Sequence, residues 1–147
     1  MADEALALAL QALARKERSV AEMGVWLRGR GVENAEVEEV LGHLLASGAL
    51  DDARFAVRFA EDKRELASWG GERIRAALAE RRVPDADIEA ALAADHGELE
   101  RAEALVRNRG IDLDDDRGRG RALALLLRRG YDSDVAYEAV RRAGDAD

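Results

Sequence analysis

Apolar residues recur along the chain at intervals of three and four, which is the spacing of one buried face of an α-helix. Two examples are the segment with Val37, Val40, Leu41, Leu44 and Leu45 and the segment with Leu99, Ala102, Leu105 and Val106. No stretch shows the strict apolar–polar alternation of a half-buried β-strand. Alanine, leucine, glutamate and arginine, which favour helix, are abundant, and there is one proline. The pattern predicts an all-α fold of roughly nine short helices.

Residues that begin and end helices divide this pattern into segments. Ser19 and Glu22 have the spacing of a capping box, in which each side chain accepts a hydrogen bond from a backbone N–H at the helix start. Pro84 fits the first turn of a helix, where its missing N–H is not needed. The segment Gly110 to Gly120 is rich in glycine and aspartate, so we expect a linker there and a helix that begins near Arg119.

One short pattern occurs three times along the chain. A leucine is followed five residues later by Val or Tyr, and an arginine lies two places before that last residue; the copies are Leu27–Val32, Leu78–Val83 and Leu126–Tyr131. They are 51 and 48 residues apart. A period of this length indicates one structural unit stacked on copies of itself, and such units usually present a long surface to a partner.

The repeat predicts the domain organisation. We expect a single domain over residues 1–147 that forms an elongated solenoid of three tandem three-helix units, with the curvature of the stack left open. The units would span about residues 1–50, 51–94 and 95–143, and residues 144–147 would form a frayed tail.

Charge is distributed unevenly between the predicted helices. The formal net charge is −8 and the isoelectric point is about 4.9, which argues against a simple nucleic-acid-binding domain. Arginines nevertheless concentrate on the second predicted helix of each repeat, whereas acidic residues concentrate on the third. If the repeats stack in register, their arginines would line up as one extended basic docking strip on an otherwise acidic protein.

Residue types that carry catalysis or bind metals are sparse. The chain has no cysteine, and His43 and His96 lack companions at ligand spacing, so we expect no metal site and no cofactor. Asp51 and Asp52 could suggest acid–base chemistry, but helix capping explains both, and we expect that the protein is not an enzyme. No apolar run reaches the roughly 18 residues of a membrane span, which favours the cytoplasm.

The central repeat carries a group of arginines with two possible roles. Arg73, Arg75, Arg81 and Arg82 could form a basic edge that meets acidic residues or phosphates of a partner. They could equally complement the end of their helix and pair with neighbouring acids. Trp69 has the same ambiguity, because tryptophan is enriched at interaction hot spots but could also fill the joint between helices.

The longest continuous pattern lies in the central repeat. It reads DDARFAVRFAEDKRELASWGGERIRAALAERRV from Asp51 to Val83, and it resembles the central signature of the RecX family of bacterial recombination regulators. The acidic pair, Phe55 and Phe59, the turn at Trp69 and the following helix carry the resemblance. It continues in SVAEMGVWLRGRGV before this segment and in LLRRGYDSDVAYEAV after it, and therefore covers nearly the whole chain.

The resemblance implies a function and a partner. RecX-like proteins bind the RecA recombinase, so it implies a monomeric regulator that lies in the groove of the RecA filament on DNA. Such a regulator lowers the ATPase and strand-exchange activities of RecA in recombination and DNA repair, and it could contact single- or double-stranded DNA weakly. The partner-binding residues predicted on this basis are Arg54, Lys63, Trp69, Arg73, Arg75, Arg81, Arg82, Arg121, Arg128 and Arg129.

The sequence is also compatible with two other functions. The chain could be a helical-repeat adaptor that binds another protein and contacts neither RecA nor DNA. It could also be a DNA-binding protein that acts alone, since helix pairs joined by short turns imitate helix-turn-helix units.

Overall fold

The structure is a computed structural model that describes residues 2–145, and all regular secondary structure in that range is α-helical. Nine helices follow one another along the described chain: α1 (Ala2–Arg15), α2 (Val20–Gly29), α3 (Asn34–Ala46), α4 (Asp52–Ala67), α5 (Gly71–Glu80), α6 (Asp85–Ala93), α7 (Glu98–Asn108), α8 (Asp116–Arg128) and α9 (Ser133–Asp145). The predicted all-α fold is therefore confirmed, and none of these helices is long and apolar enough to cross a membrane.

Side-chain caps fix where several of the helices begin. The predicted capping box at the start of α2 is present, because the Ser19 side chain accepts from the Glu22 N–H and the Glu22 side chain accepts from the Ser19 N–H. Asp51 caps α4 by accepting from the N–H of Arg54 at 3.0 Å. These bonds satisfy backbone donors that a helix start otherwise leaves without a partner.

The helices form three units, each with its own apolar core. In each unit the first and third helices pack together: α1 on α3, α4 on α6, and α7 on α9. The cores are built from small and aliphatic residues, with Phe55 and Tyr131 as their largest buried aromatic side chains. Met23, Leu27 and Ile74 are fully buried. The tandem three-helix arrangement predicted from the repeat is thus confirmed.

The start of the eighth helix differs from the prediction. The segment predicted as a linker ends early, because α8 begins at Asp116 and contains Gly118. Asp115 accepts from the N–H of Gly118 at 2.7 Å, and a Cβ on Gly118 would lie 1.6 Å from the carbonyl oxygen of Asp112. Glycine here therefore serves a close approach between a helix and the preceding turn, and does not mark flexible chain.

The predicted tail falls partly within the last helix. Helix α9 continues through Gly144 and Asp145, and Arg141 Nη1 contacts the Asp145 carboxylate at 3.1 Å in its final turn. Residues 146 and 147, the remainder of the predicted tail, lie outside the described residues.

The second helices of successive units meet end to end. At the first junction, Ser19 Oγ at the start of α2 donates to the carbonyl oxygen of Arg81, which caps the end of α5, at 2.7 Å. At the second junction, the N–H of Gly70 at the start of α5 donates to the carbonyl oxygen of Arg129 at the end of α8, also at 2.7 Å. Donors at one helix start thus meet acceptors at another helix end, which satisfies groups that neither helix can pair internally.

Candidate partner-binding surface

Arg81 is built into the first junction. Its Nε lies 2.8 Å from Glu22 Oε2 and its Nη2 lies 3.0 Å from Glu22 Oε1, so the two side chains form a bidentate pair across 59 residues of chain. The guanidinium also lies over the ring of Phe55, 4.6 Å from its centroid. Burial alone would raise the pKa of the Glu22 carboxyl, but hydrogen bonds from Arg81 and the Ser19 N–H outweigh it and lower that pKa. The pair is part of the contact between units.

Arg129 occupies the equivalent position at the second junction. Its Nη1 donates to the carbonyl oxygen of Ala67 at 2.6 Å, and the hydroxyl of the buried Tyr131 donates to the carbonyl oxygen of Ser68 at 2.7 Å. Both bonds satisfy carbonyl groups at the end of α4. Arg129, like Arg81, therefore turns inward and joins two units.

Trp69 lies in the joint between α4 and α5. Its ring is partly buried and meets the ring of Phe59 edge-on, with 6.4 Å between centroids. Lys63 Nζ lies 4.8 Å and the Arg73 guanidinium carbon 4.3 Å from its centroid. Because neighbours of its own repeat and two cations cover the ring, the geometry favours the structural role for Trp69.

Two more of the predicted arginines have acceptors within the protein. Arg54 Nη1 donates to the carbonyl oxygen of Gly48 at 2.8 Å, and its Nε lies 3.7 Å from Glu17, so it joins the first unit to the second. Arg75 Nε lies 2.7 Å from Glu89 and its Nη1 2.6 Å from Glu72, which links α5 to α6. Both arrangements match the alternative in which such residues pair with neighbouring acids.

Four of the predicted residues are exposed to solvent: Arg73, Arg82, Arg121 and Arg128. Among the described residues, Arg82 and Arg121 form no ion pair, and Arg82 stands on backbone with a φ of +59° just beyond α5. Arg73 and Arg128 meet at the second junction, where Arg73 Nη1 donates to the Arg128 carbonyl oxygen at 3.3 Å. These four side chains form the exposed basic surface of the predicted set.

A groove at the first junction adds basic residues that the sequence interpretation did not include. It has a volume of about 390 Å³, and its lining includes Lys16, Arg18, Trp26 and Arg82. The guanidinium carbons of Arg18 and Arg30 lie 5.5 and 4.6 Å from the centre of the Trp26 ring. The signal in the sequence is the group of basic residues shortly before the Ser19 cap, which the repeat pattern does not contain.

A second unpredicted group of charges stabilises the central and third units. Asp95 is nearly buried and lies 3.3 Å from Arg64 Nε and 2.9 Å from Arg101 Nη2. Burial would raise the pKa of the Asp95 carboxyl, but the hydrogen bond from Arg101, the Gly97 N–H and the charge of Arg64 together lower it. The Asp51 and Asp52 carboxylates are also committed structurally, since Asp51 caps α4 and Asp52 Oδ1 accepts from the Val20 N–H at 2.9 Å.

Comparison with known proteins points to a single family. The model of the first three-helix domain of RecX matches residues 5–44, and the model of its second three-helix domain matches residues 51–92. Regulatory protein RecX of Thermus thermophilus is 38% identical over 143 residues, which cover 97% of this chain and 94% of the relative. Regulatory protein RecX of Mycobacterium ulcerans is 37% identical over 144 residues, covering 94% of this chain and 83% of the relative.

Two crystal structures of similar proteins have the same arrangement of helices. The crystal structure of RecX from Lactobacillus salivarius superposes with a TM-score of 0.88 at 20% identity and covers 97% of this chain and 96% of that chain. A second crystal structure, of a regulatory protein RecX, has a TM-score of 0.79 at 22% identity and covers 96% of this chain and 71% of that chain. At these identities the likeness bears on the arrangement of the helices alone.

Proposed function

Because the chain belongs to the RecX family of regulatory proteins, we propose that it binds the RecA recombinase filament and lowers its ATPase and strand-exchange activities. The observation that carries this proposal is a match of 37–38% identity that extends over nearly all of this chain and most of each relative. Those relatives are named as regulatory proteins, and we infer that this chain acts through binding and without catalysis.

The exposed basic surface supports a partner that is acidic or carries phosphates. Arg73 and Arg82 lie exposed on or beside α5, the second helix of the central unit. The exposed guanidinium groups attract such a partner, whereas the excess of acidic residues on a chain with a net charge of −8 repels it elsewhere, which favours one orientation of binding. Exposed charges at an interface mainly accelerate association, and salt screens them. Binding should therefore weaken as the salt concentration increases.

The structure also determines which arginines are suitable for a test. Reversing the charge of Arg75 or Arg81 would break ion pairs with Glu89 or Glu22, so lost binding could simply reflect a disrupted fold. Arg82 and Arg121 are exposed and have no such partner among residues 2–145, whereas Arg73 lies 4.3 Å from the centre of the Trp69 ring and donates to the Arg128 carbonyl oxygen.

The experiment measures binding of fluorescently labelled protein to RecA assembled on single-stranded DNA, with the same DNA without RecA in parallel. We expect saturable binding to the filament and weak binding to the bare DNA. The variant Arg82→Glu/Arg121→Glu should bind the filament about tenfold more weakly, whereas Arg15→Glu/Arg109→Glu, which reverses two other exposed arginines, should bind like the wild type.

The controls separate binding from folding and from the competing functions. Circular dichroism and the melting temperature should be nearly the same for all three proteins. A folded wild-type protein that does not bind the filament would contradict the proposal and favour an adaptor for another protein. Tight binding to the bare DNA would favour a DNA-binding protein that acts alone, with affinity falling steeply as salt rises.

A further inference from the structure

The two junctions between units are held by different kinds of hydrogen bond. At the second junction, the N–H of Gly70 donates to the carbonyl oxygen of Arg129 at 2.7 Å, and the N–H of Glu72 donates to the carbonyl oxygen of Gly130 at 2.9 Å. Both bonds join backbone to backbone. Among residues 2–145, no backbone–backbone hydrogen bond joins the first unit to the second. The second junction therefore fixes the main chain directly, and the first does not.

The first junction depends on side chains instead. Ser19 Oγ donates to the carbonyl oxygen of Arg81 at 2.7 Å, and Asp52 Oδ1 accepts from the N–H of Val20 at 2.9 Å. The third contact is the bidentate pair of Arg81 with Glu22, whose side chains are 25% and 29% exposed. Because solvent reaches this pair, dissolved ions screen its attraction in part.

The other ion pairs of the first junction lie nearer the surface. Glu17 Oε1 is 3.7 Å from Arg54 Nε and 3.3 Å from Arg58 Nη1, and the Arg58 side chain is 60% exposed. Exposed pairs of this kind contribute little to stability, since two long side chains must be ordered in water. The orientation of the first unit therefore depends mainly on the contacts of α2 with α4 and α5.

The packing of the two junctions differs in the same direction. At the second junction the backbones touch, because a Cβ on Gly70 would lie 2.5 Å from the backbone nitrogen of Tyr131. The Tyr131 side chain is buried there and donates to the carbonyl oxygen of Ser68. At the first junction a groove of about 390 Å³ opens between the units, lined by Trp26 of the first and Arg82 of the second. This groove leaves room for the first unit to rotate.

The apolar cores do not prevent such a rotation. Each unit has its own core, and the last buried residue of the first core is Leu50, whereas the first of the second core is Phe55. The covalent connection is the short segment 47–51 between α3 and α4, which includes Gly48 with a φ of +78°. Small polar interfaces between parts of one chain generally permit relative motion, and segments at the ends of helices absorb the change in φ and ψ.

We propose that the first junction is a hinge. The first unit rotates about it, the second and third units move together as one rigid body, and the Glu22–Arg81 ion pair holds the first unit in place. The curvature of the solenoid would thus change at one junction only. The inference concerns the chain by itself, so it is independent of the proposed function and is tested without a partner.

The test compares distances across the two junctions by pulsed electron spin resonance. The chain has no cysteine, so spin labels attach only where one is introduced. Ala35, Ala86 and Asp134 are exposed and are the second residues of α3, α6 and α9, at equivalent positions of the repeat. Ala35→Cys/Ala86→Cys spans the first junction, and Ala86→Cys/Asp134→Cys spans the second. We expect the first distance distribution to be about twofold broader than the second.

Matched variants test the ion pair that holds the hinge. Arg81→Ala removes the side chain that pairs with Glu22 and should broaden the distribution across the first junction further. Arg129→Ala removes the equivalent side chain of the second junction but keeps both backbone bonds, so the second distribution should stay unchanged. Glu22→Gln should act like Arg81→Ala, because glutamine can still complete the capping box at the start of α2. Circular dichroism checks that all variants keep their helices.

Salt provides a second test in which the junctions keep their native side chains. Raising the salt concentration to about 1 M should broaden the distribution across the first junction, because its ion pairs are partly exposed and are screened. The second distribution should not respond, since backbone hydrogen bonds join those units.

Two results would overturn the proposal. One is a first-junction distribution that is as narrow as the second and stays so in Arg81→Ala and at high salt. The other is a broadening across the second junction in Arg129→Ala that equals the effect of Arg81→Ala across the first, because the two junctions would then be equally mobile.

Discussion

Gly130 is the residue at which the contact between the second and third units should be most sensitive to one added methyl group. Its φ is +95°, and a Cβ placed on it would lie 2.2 Å from the Cβ of Arg73 and 2.5 Å from the Arg73 backbone nitrogen. Gly31, the equivalent residue of the first unit, has a φ of +85° but nothing within 4 Å of the added atom. The two glycines share a backbone conformation and differ in their surroundings.

Comparing the two variants separates the loss of stability in Gly130→Ala into a part from backbone conformation and a part from steric overlap. Placing alanine in the left-handed region costs about 1–2 kcal/mol, and Gly31→Ala should lose only that amount. The central unit shows that a side chain is tolerated at this position, because Arg82 there has a φ of +59°. At Gly130 the overlap with backbone atoms adds roughly 1–3 kcal/mol, so Gly130→Ala should lose about 2–5 kcal/mol in total.

The assay is urea unfolding of the wild type and the two variants, followed by circular dichroism. We expect both variants to remain helical, and Gly130→Ala to lower the free energy of unfolding by a clearly larger amount than Gly31→Ala. Amide hydrogen exchange should show the extra loss as weaker protection of α5 and α8 near their junction. Equal losses in the two variants would refute the reasoning, because the junction would then tolerate a Cβ at Gly130.

Further predictions concern the core and the first junction. Ile74→Asp should lower the free energy of unfolding by at least about 3 kcal/mol in urea titrations, because a charge would enter a fully buried position. Glu22→Gln should cost about 1–2 kcal/mol in the same assay at pH 7, since Arg81 would lose its charged partner in a half-buried site. The folded-state pKa of Glu22 is lowered, so its stabilisation is present above the ordinary value of 4.5 and is lost as pH falls through the folded value. The difference between wild type and Glu22→Gln should therefore shrink below pH 4.5, and a constant difference would contradict the assignment.

The helices could be predicted because their signals are local. Ser19 and Glu22 specify the start of α2, and apolar residues at helical spacing specify which face of each helix is buried. The predicted start of α8 is wrong because glycine and aspartate between Gly110 and Gly120 are typical of a loop. The helix forms there since Gly118 packs against the backbone of Asp112, a contact that composition does not reveal.

The roles of the individual arginines depend on contacts between units, which the repeat pattern does not specify. Arg81 and Arg129 occupy the same repeat position, and the sequence predicts a partner-binding role for both. The structure directs Arg81 to Glu22, 59 residues away, and Arg129 to the carbonyl of Ala67, 62 residues away. Whether the exposed arginines contact a partner stays a prediction.

The rate of ATP hydrolysis by RecA on single-stranded DNA tests the central claim most directly. The protein is added at increasing ratios to a fixed concentration of RecA, and circular dichroism checks that it is folded. The account predicts that the wild type lowers the rate at substoichiometric or equimolar amounts. An unchanged rate at a large excess of folded wild-type protein would contradict it.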